Sequence, residues 1–394
     1  MRSHSVAITI FLVFFFESSV LGQWIPRIPD IKTALALTDA TLGLALLAMP
    51  LGTLLGFSVV GKVIEHYGLR NSCRLFLPLW ALLFIGPALA QSFTQLCIAL
   101  FLCGAAIGMI ETAMNTEAAR IEKDSGERLM SRCHGFWSLG TMFGALVGGA
   151  LAQWNISVIM HFTIAMPIIA VCGYLVATAL PVDNLHSESD DLGKEEAGQS
   201  QLFRWPARSI LLLCIMPLGI MMVEGAFIDW SAVFMRDVMS AEPFLIAITY
   251  SAFSLIMAIV RLSGDSLATR YGDLTIVRVS GIASTVGITL FALSPSIPWA
   301  FIGAAISGAG VAIVFPLAVS AAANRPGRSS ADNVAALNMI AFSAFMVAPP
   351  VIGFISELLG LRVALLLLGP VALLTFLLAK EVEAVSSEET EPTR

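Results

Sequence analysis

The sequence predicts an all-α, polytopic membrane fold, with twelve transmembrane helices in two pseudo-symmetric six-helix bundles. Three observations predict it. First, 57% of the 394 residues are hydrophobic and 13% are charged, with a mean hydropathy of +0.85, whereas a soluble domain carries about 25% charged residues. Second, apolar runs recur along the chain, most of them about 20 residues long, the length a helix needs to cross a bilayer. Third, lysine and arginine fall almost entirely into alternate connections between these runs.

The first run, 6–24, starts basic and ends in small residues, like a signal peptide. Glu17 interrupts it before those small residues, and the spans that follow need an even count, so it is read as a retained helix. Runs at 41–61, 75–91, 95–117, 133–153 and 158–180 complete the first six. The second six are 209–235, 244–263, 276–294, 298–322, 334–355 and 361–380. They are too long and continuous for barrel strands, which leaves helices to satisfy the backbone in lipid. Gly140, Gly144 and Gly148 form a small-residue stripe on helix five, as Gly52 and Gly56 do on helix two. Gly308 and Gly310 ahead of Pro316 predict a bend in helix ten.

With the N-terminus in the cytoplasm, Arg27, Lys32, Arg236 and Arg362 fall outside, and the other 18 of the 22 basic residues fall inside. This is the expected bias of an inner-membrane protein with both termini cytoplasmic. The expected domains are a bundle at 1–180, a polar linker at 181–207, a second bundle at 208–380 and an acidic tail at 381–394. Phe203 and Trp205 in the linker are read as an interfacial anchor. "EHYGLRNSCR" (65–74) after helix two is echoed by "TRYGDLTIVR" (269–278) after helix eight, which suggests an internal repeat with a site between its copies.

The same residues argue against other classes. There is no basic run, and with a pI near 5.4 no nucleic-acid partner is expected. The six cysteines show no ligand spacing, so neither a disulfide framework nor a metal is expected. The sequence contains no P-loop, HExxH or GxSxG, so an enzyme is disfavoured and no cofactor is expected. A monomer in the bilayer is the expected state.

Twelve spans, the long central loop and the repeated short loop resemble the major facilitator superfamily. Its loop signature, Gly-x-x-x-Asp-Arg-x-Gly-Arg-Arg/Lys, is matched by Gly61, Gly68 and Arg70, with Glu65 keeping the acid, while His66 and Leu69 depart. The second copy keeps Arg270 and Gly272 but has Asp265 and Thr269 at the glycine and acid positions. The resemblance implies gating roles for Gly61, Glu65, Gly68, Arg70, Asp265 and Arg270. His134, at the start of helix five, is a further gating candidate. "GQWIPRIPDIK", "EGAFIDWSA" and "APPVIGF" are similar to a bacterial YbjJ/MosC-like branch of that superfamily.

The resemblance also implies that helices 1, 4, 7 and 10 surround a central cavity. Glu17, Glu111, Glu224 and Asp229 all fall on such helices. A charged group at mid-membrane costs about 2.5–3.5 kcal/mol, so these acids are expected to face the bundle interior and to bind substrate or protons. Asn115, Trp230 and Asn338 are the accompanying substrate-binding candidates. Because no span holds a deep lysine or arginine, the cargo is expected to be a small sugar, polyol or amine. The expected function is secondary active transport by alternating access, with protons as a candidate coupling ion. A transporter-like sensor or interaction protein is the alternative.

Overall fold

The structure is a computed structural model that describes residues 2–182, 210–325 and 329–383. Its helices are α1 (Ser5–Ala34), α2 (Asp39–Tyr67), α3 (Leu69–Leu89), α4 (Phe93–Ser125), α5 (Met130–Gln153), α6 (Val158–Thr178), α7 (Leu211–Val238), α8 (Pro243–Tyr271), α9 (Asp273–Ala292), α10 (Ile297–Ala323) and α11 (Ser330–Leu359), with the shorter α12 (Leu361–Leu377) last. The expected linker 181–207, with Phe203 and Trp205, and the tail 381–394 lie outside the described residues apart from 181–182 and 381–383.

Several helices outrun their apolar cores. α1 does not stop at residue 24. A 3-10 turn, Ile25–Arg27, carries Pro26, and the helix resumes at Ile28–Ala34 with Pro29 in its first turn, where a missing N–H costs nothing. Arg27 and Lys32, expected in a loop, are therefore helical. α2 and α8 run on to Tyr67 and Tyr271, where Gly68 and Gly272 take φ of 78° and stop them. Positive φ is nearly free for glycine alone. The two matching sequence stretches thus form the same backbone device in each half.

Helix packing repeats as well. In the first half α1 packs on α5, α2 on α4 and α3 on α6. In the second, α7 packs on α11, α8 on α10 and α9 on α12. The halves meet through α5 with α8 and α2 with α11, pairs that exchange when the halves are interchanged. Glycines permit the tightest of these approaches. A Cβ on Gly144 would lie 2.3 Å from the Ser19 carbonyl oxygen of α1, and one on Gly56 would lie 2.3 Å from the Ala105 oxygen of α4. The outer surface is apolar: Ile164, Ile168, Val171 and Leu175 form an exposed stripe along α6 at helical spacing. Such a face suits lipid rather than water.

Candidate functional site: a carboxylate cluster where the halves meet

Three acids from three helices come together near mid-bundle. Glu17 of α1 is fully buried, and its carboxyl lies within electrostatic range of Glu111 of α4 and of the Trp137 indole of α5. Glu111 lies in turn within range of Glu224 of α7, which is 5% exposed. The Glu17 backbone is held by Trp80, whose indole nitrogen donates to the Glu17 carbonyl oxygen at 3.0 Å. Asp229 is half-buried. It and Glu224 both act on the buried Tyr250 hydroxyl of α8, although the two acids are about 140° apart around α7. Trp230 is fully buried with its indole nitrogen unpaired.

A cation completes the cluster, and the sequence reading missed it. Arg261 of α8 donates from Nη2 to Glu224 Oε1 at 3.1 Å and from Nη1 to Ser138 Oγ of α5 at 3.0 Å. Its guanidinium lies 5.9 Å from the Trp137 ring centroid, within the range of a cation–π contact. The expectation that no span holds a deep basic residue is therefore wrong. Arg261 was placed at the end of its span, but α8 continues to Gly272, so Arg261 lies about three turns inside the helix. The helix-stopping Tyr-Gly pair was the available signal.

The bend in α10 serves this arginine. Proline has no N–H and its ring crowds the carbonyl four residues earlier. Pro316 thus frees the Ala312 carbonyl, and α10 is broken between Val311 and Val314. Arg261 Nε donates to that freed oxygen at 3.2 Å. A Pro316→Ala variant restores a competing backbone donor. It is expected to lower thermal stability by about 1 kcal/mol through the Arg261 contact, although the same change in an ordinary helix would stabilise it. A rise in melting temperature would refute this role for the bend.

The remaining candidates differ in how they relate to the cluster. Asn115 donates from Nδ2 to the Glu111 carbonyl of its own helix at 2.8 Å, so it sits beside the acid with its amide engaged. Asn338 is exposed and shares no described hydrogen bond with the cluster. His134 packs edge-on against Phe14, 5.6 Å between ring centroids, within electrostatic range of Arg261.

At the end where α1 passes to α2, ion pairs bridge the halves. Lys32 Nζ lies 2.5 Å from Asp39 Oδ1 and 2.6 Å from Asp237 Oδ2. Arg236 lies 3.7 Å from Asp30. Ser356 of α11 donates to the Asp39 carboxylate, and the Ala40 N–H donates to Glu357 at 3.4 Å.

The described residues form eleven long apolar helices and the shorter α12 around a polar centre between two repeated halves, and the model of the Major Facilitator Superfamily matches residues 6–345. The chain belongs to the major facilitator superfamily. Superfamily relatives include the uncharacterized transporter y4wD of Sinorhizobium fredii, 31% identical over 93% of this chain and 95% of that protein. The membrane protein MosC of Rhizobium meliloti is 30% identical over 90% of this chain and 84% of its own length. Among solved structures, the nucleoside transporter NupG superposes with a TM-score of 0.71 at 14% identity, covering 95% of this chain and 98% of its own. The D-xylose–proton symporter gives 0.71 at 11% identity over 96% and 97%. At such identities the likeness speaks for the superfamily fold alone.

The superfamily's loop signature is structurally mixed here. A Cβ on Gly61 would meet nothing within 4 Å, and Glu65 is exposed. Arg70 donates to the Thr178 carbonyl, tying the start of α3 to the end of α6 inside one half. Arg270 is exposed and lies over the Tyr271 ring at 5.3 Å. Asp265 lies on α8, its side chain outside the described set. The chain is a polytopic membrane transporter by family, not an enzyme.

Proposed function

We propose that this chain is a secondary active transporter that carries a small polar solute across the inner membrane by alternating access, coupled to protons through its buried carboxylates. The observation that carries the reading is the chain of acids Glu17, Glu111 and Glu224, drawn from α1, α4 and α7 and meeting Arg261 between the halves. Apolar surroundings are a costly place for an unpaired charge, and a proton is the smallest group that neutralises one. Arg261 engages Glu224, so Glu111 is the acid best placed to exchange a proton.

Arg261 removes the original reason for excluding anionic cargo. The preference stands on different ground: the guanidinium is already engaged by Glu224, Ser138 and Ala312, and the remaining charges around it are acidic. Sugars, polyols and amines offer the hydrogen-bond donors that such a site accepts. The basic-residue distribution puts the α1–α2 end outside and both termini in the cytoplasm. In this orientation the ion pairs of Lys32 and Arg236 close the outer end. Each monomer holds a complete site.

The test is transport by the purified protein in proteoliposomes, against a panel of labelled sugars, polyols and amines. Gradient-driven uptake should collapse with a protonophore. Glu111→Gln should reduce that uptake by at least about tenfold while leaving counterflow, which needs no net proton movement, largely intact. Binding without counterflow would favour a sensor instead. Uptake indifferent to both the protonophore and Glu111→Gln would remove proton coupling.

A further inference from the structure

We infer that Lys32 is a shared latch that holds the α1–α2 end closed, and that its two carboxylate partners act in opposite directions on the opening of that end. The inference rests on the alternating-access reading above and assigns the residues that set its conformational balance.

The geometry distinguishes the partners. Asp39 starts α2, in the same half as Lys32, whereas Asp237 ends α7, in the other half. Lys32 is ion-paired with both at once, at 2.5 and 2.6 Å. Arg236 repeats the arrangement. It lies 3.0 Å from Asp237 in its own half and 3.7 Å from Asp30 across the interface, while Asp30 keeps Arg27 at 3.3 Å. Every cross-half pair is therefore duplicated by a pair within one half. If the halves part, Lys32 keeps Asp39, Arg236 keeps Asp237 and Asp30 keeps Arg27. No charge is stranded in either state. Stranding a charge is what makes buried ion pairs hard to break, so a latch without that penalty can close and still release.

The signs follow from Coulomb's law. Asp237 attracts Lys32 only when the end is closed, so its loss favours opening. Asp39 attracts Lys32 in both states and contributes little to the balance through that pair. It also repels Asp237, because carboxylate oxygens bonded to one ammonium are no more than about 5 Å apart. That repulsion exists only in the closed state. Asp39→Asn removes it and keeps an oxygen to accept the bond from Ser356. Loss of Asp39's charge should therefore tighten the closed end, whereas loss of Asp237's should loosen it.

The test is the distance between spin labels at Gln91 and Ser296, exposed positions in the loops before α4 and α10 at this end of each half. It is read by double electron–electron resonance on the full chain in nanodiscs, with the native cysteines replaced. Asp237→Asn and Lys32→Gln should each raise the ratio of long to short distances by about fivefold at low salt. Asp39→Asn should lower it, measured in an Asp30→Asn chain whose lost tie to Arg236 leaves both populations visible. High salt should shrink all three effects. Opening by Asp39→Asn, or no opening by Asp237→Asn, overturns the latch. Counterflow measured on the same variants separates this from the broader reading: transport with unmoved distances rejects the latch alone, while absent counterflow in the unsubstituted chain rejects transport itself.

Discussion

Arg261→Met should destabilise the folded protein by about 3–5 kcal/mol and abolish transport, because it leaves Glu224 buried without its partner. The guanidinium also spans the interface between halves. It reaches Ser138 of α5 and Ala312 of α10 in addition to Glu224, and its backbone carbonyl accepts from Ser131 Oγ at 2.6 Å. The control is the double variant Arg261→Met with Glu224→Gln. Removing both charges takes away the stranded group, so the double variant should recover much of the lost stability while remaining inactive. Thermal unfolding in detergent gives the comparison. A double variant as unstable as the single one would mean that packing around Arg261, rather than its charge, accounts for the loss.

The second large effect concerns the contact of α2 with α4. A Cβ on Gly52 would sit 1.9 Å from the Phe101 carbonyl oxygen, and one on Gly104 would sit 1.9 Å from that of Met49. Neither obstacle is a side chain that can rotate away. Gly52→Ala must push two helix backbones apart by more than an ångström, with a loss of about 1–3 kcal/mol or more. Gly104→Ala should do the same. Gly61, also on α2 and part of the superfamily's loop signature, has nothing within 4 Å of the corresponding position. Gly61→Ala should therefore be neutral or stabilise the helix by about 0.5–1 kcal/mol. Melting temperatures of the three variants check this. Equal losses at Gly52 and Gly61 would show that helix flexibility, and not backbone contact, sets the requirement for glycine on α2.

The two glycine settings illustrate how far local sequence reaches. The stripes at Gly52 and Gly56 and at Gly140, Gly144 and Gly148 were legible as close-approach surfaces, but not which helices they meet. The repeat of Tyr-Gly was legible as an echo between halves. Its consequence, two helices ended by the same left-handed residue, was available in principle and would have moved Arg261 inward. The acids at 17, 111 and 224 stood out because charge is rare in apolar spans. Asn338 stood out as an uncharged hydrogen-bonding group in an apolar span, and it is not joined to them. Lys32 and Arg236 entered only the count of basic residues outside, and their partners Asp39 and Asp237 drew no reading, because ion pairs between segments some 200 residues apart leave no local pattern.

By itself, the sequence determined the class, the helices and their order, since hydropathy, helix length and the bias of basic residues all respond to the bilayer, a solvent that acts on each segment separately. Tertiary structure alone decided which charges are partners. Pairing depends on distances below about 4 Å between helices remote in the chain, and the bond from Arg261 to the carbonyl freed at Pro316 and the meeting of the two halves at Lys32 exist only once those helices have packed.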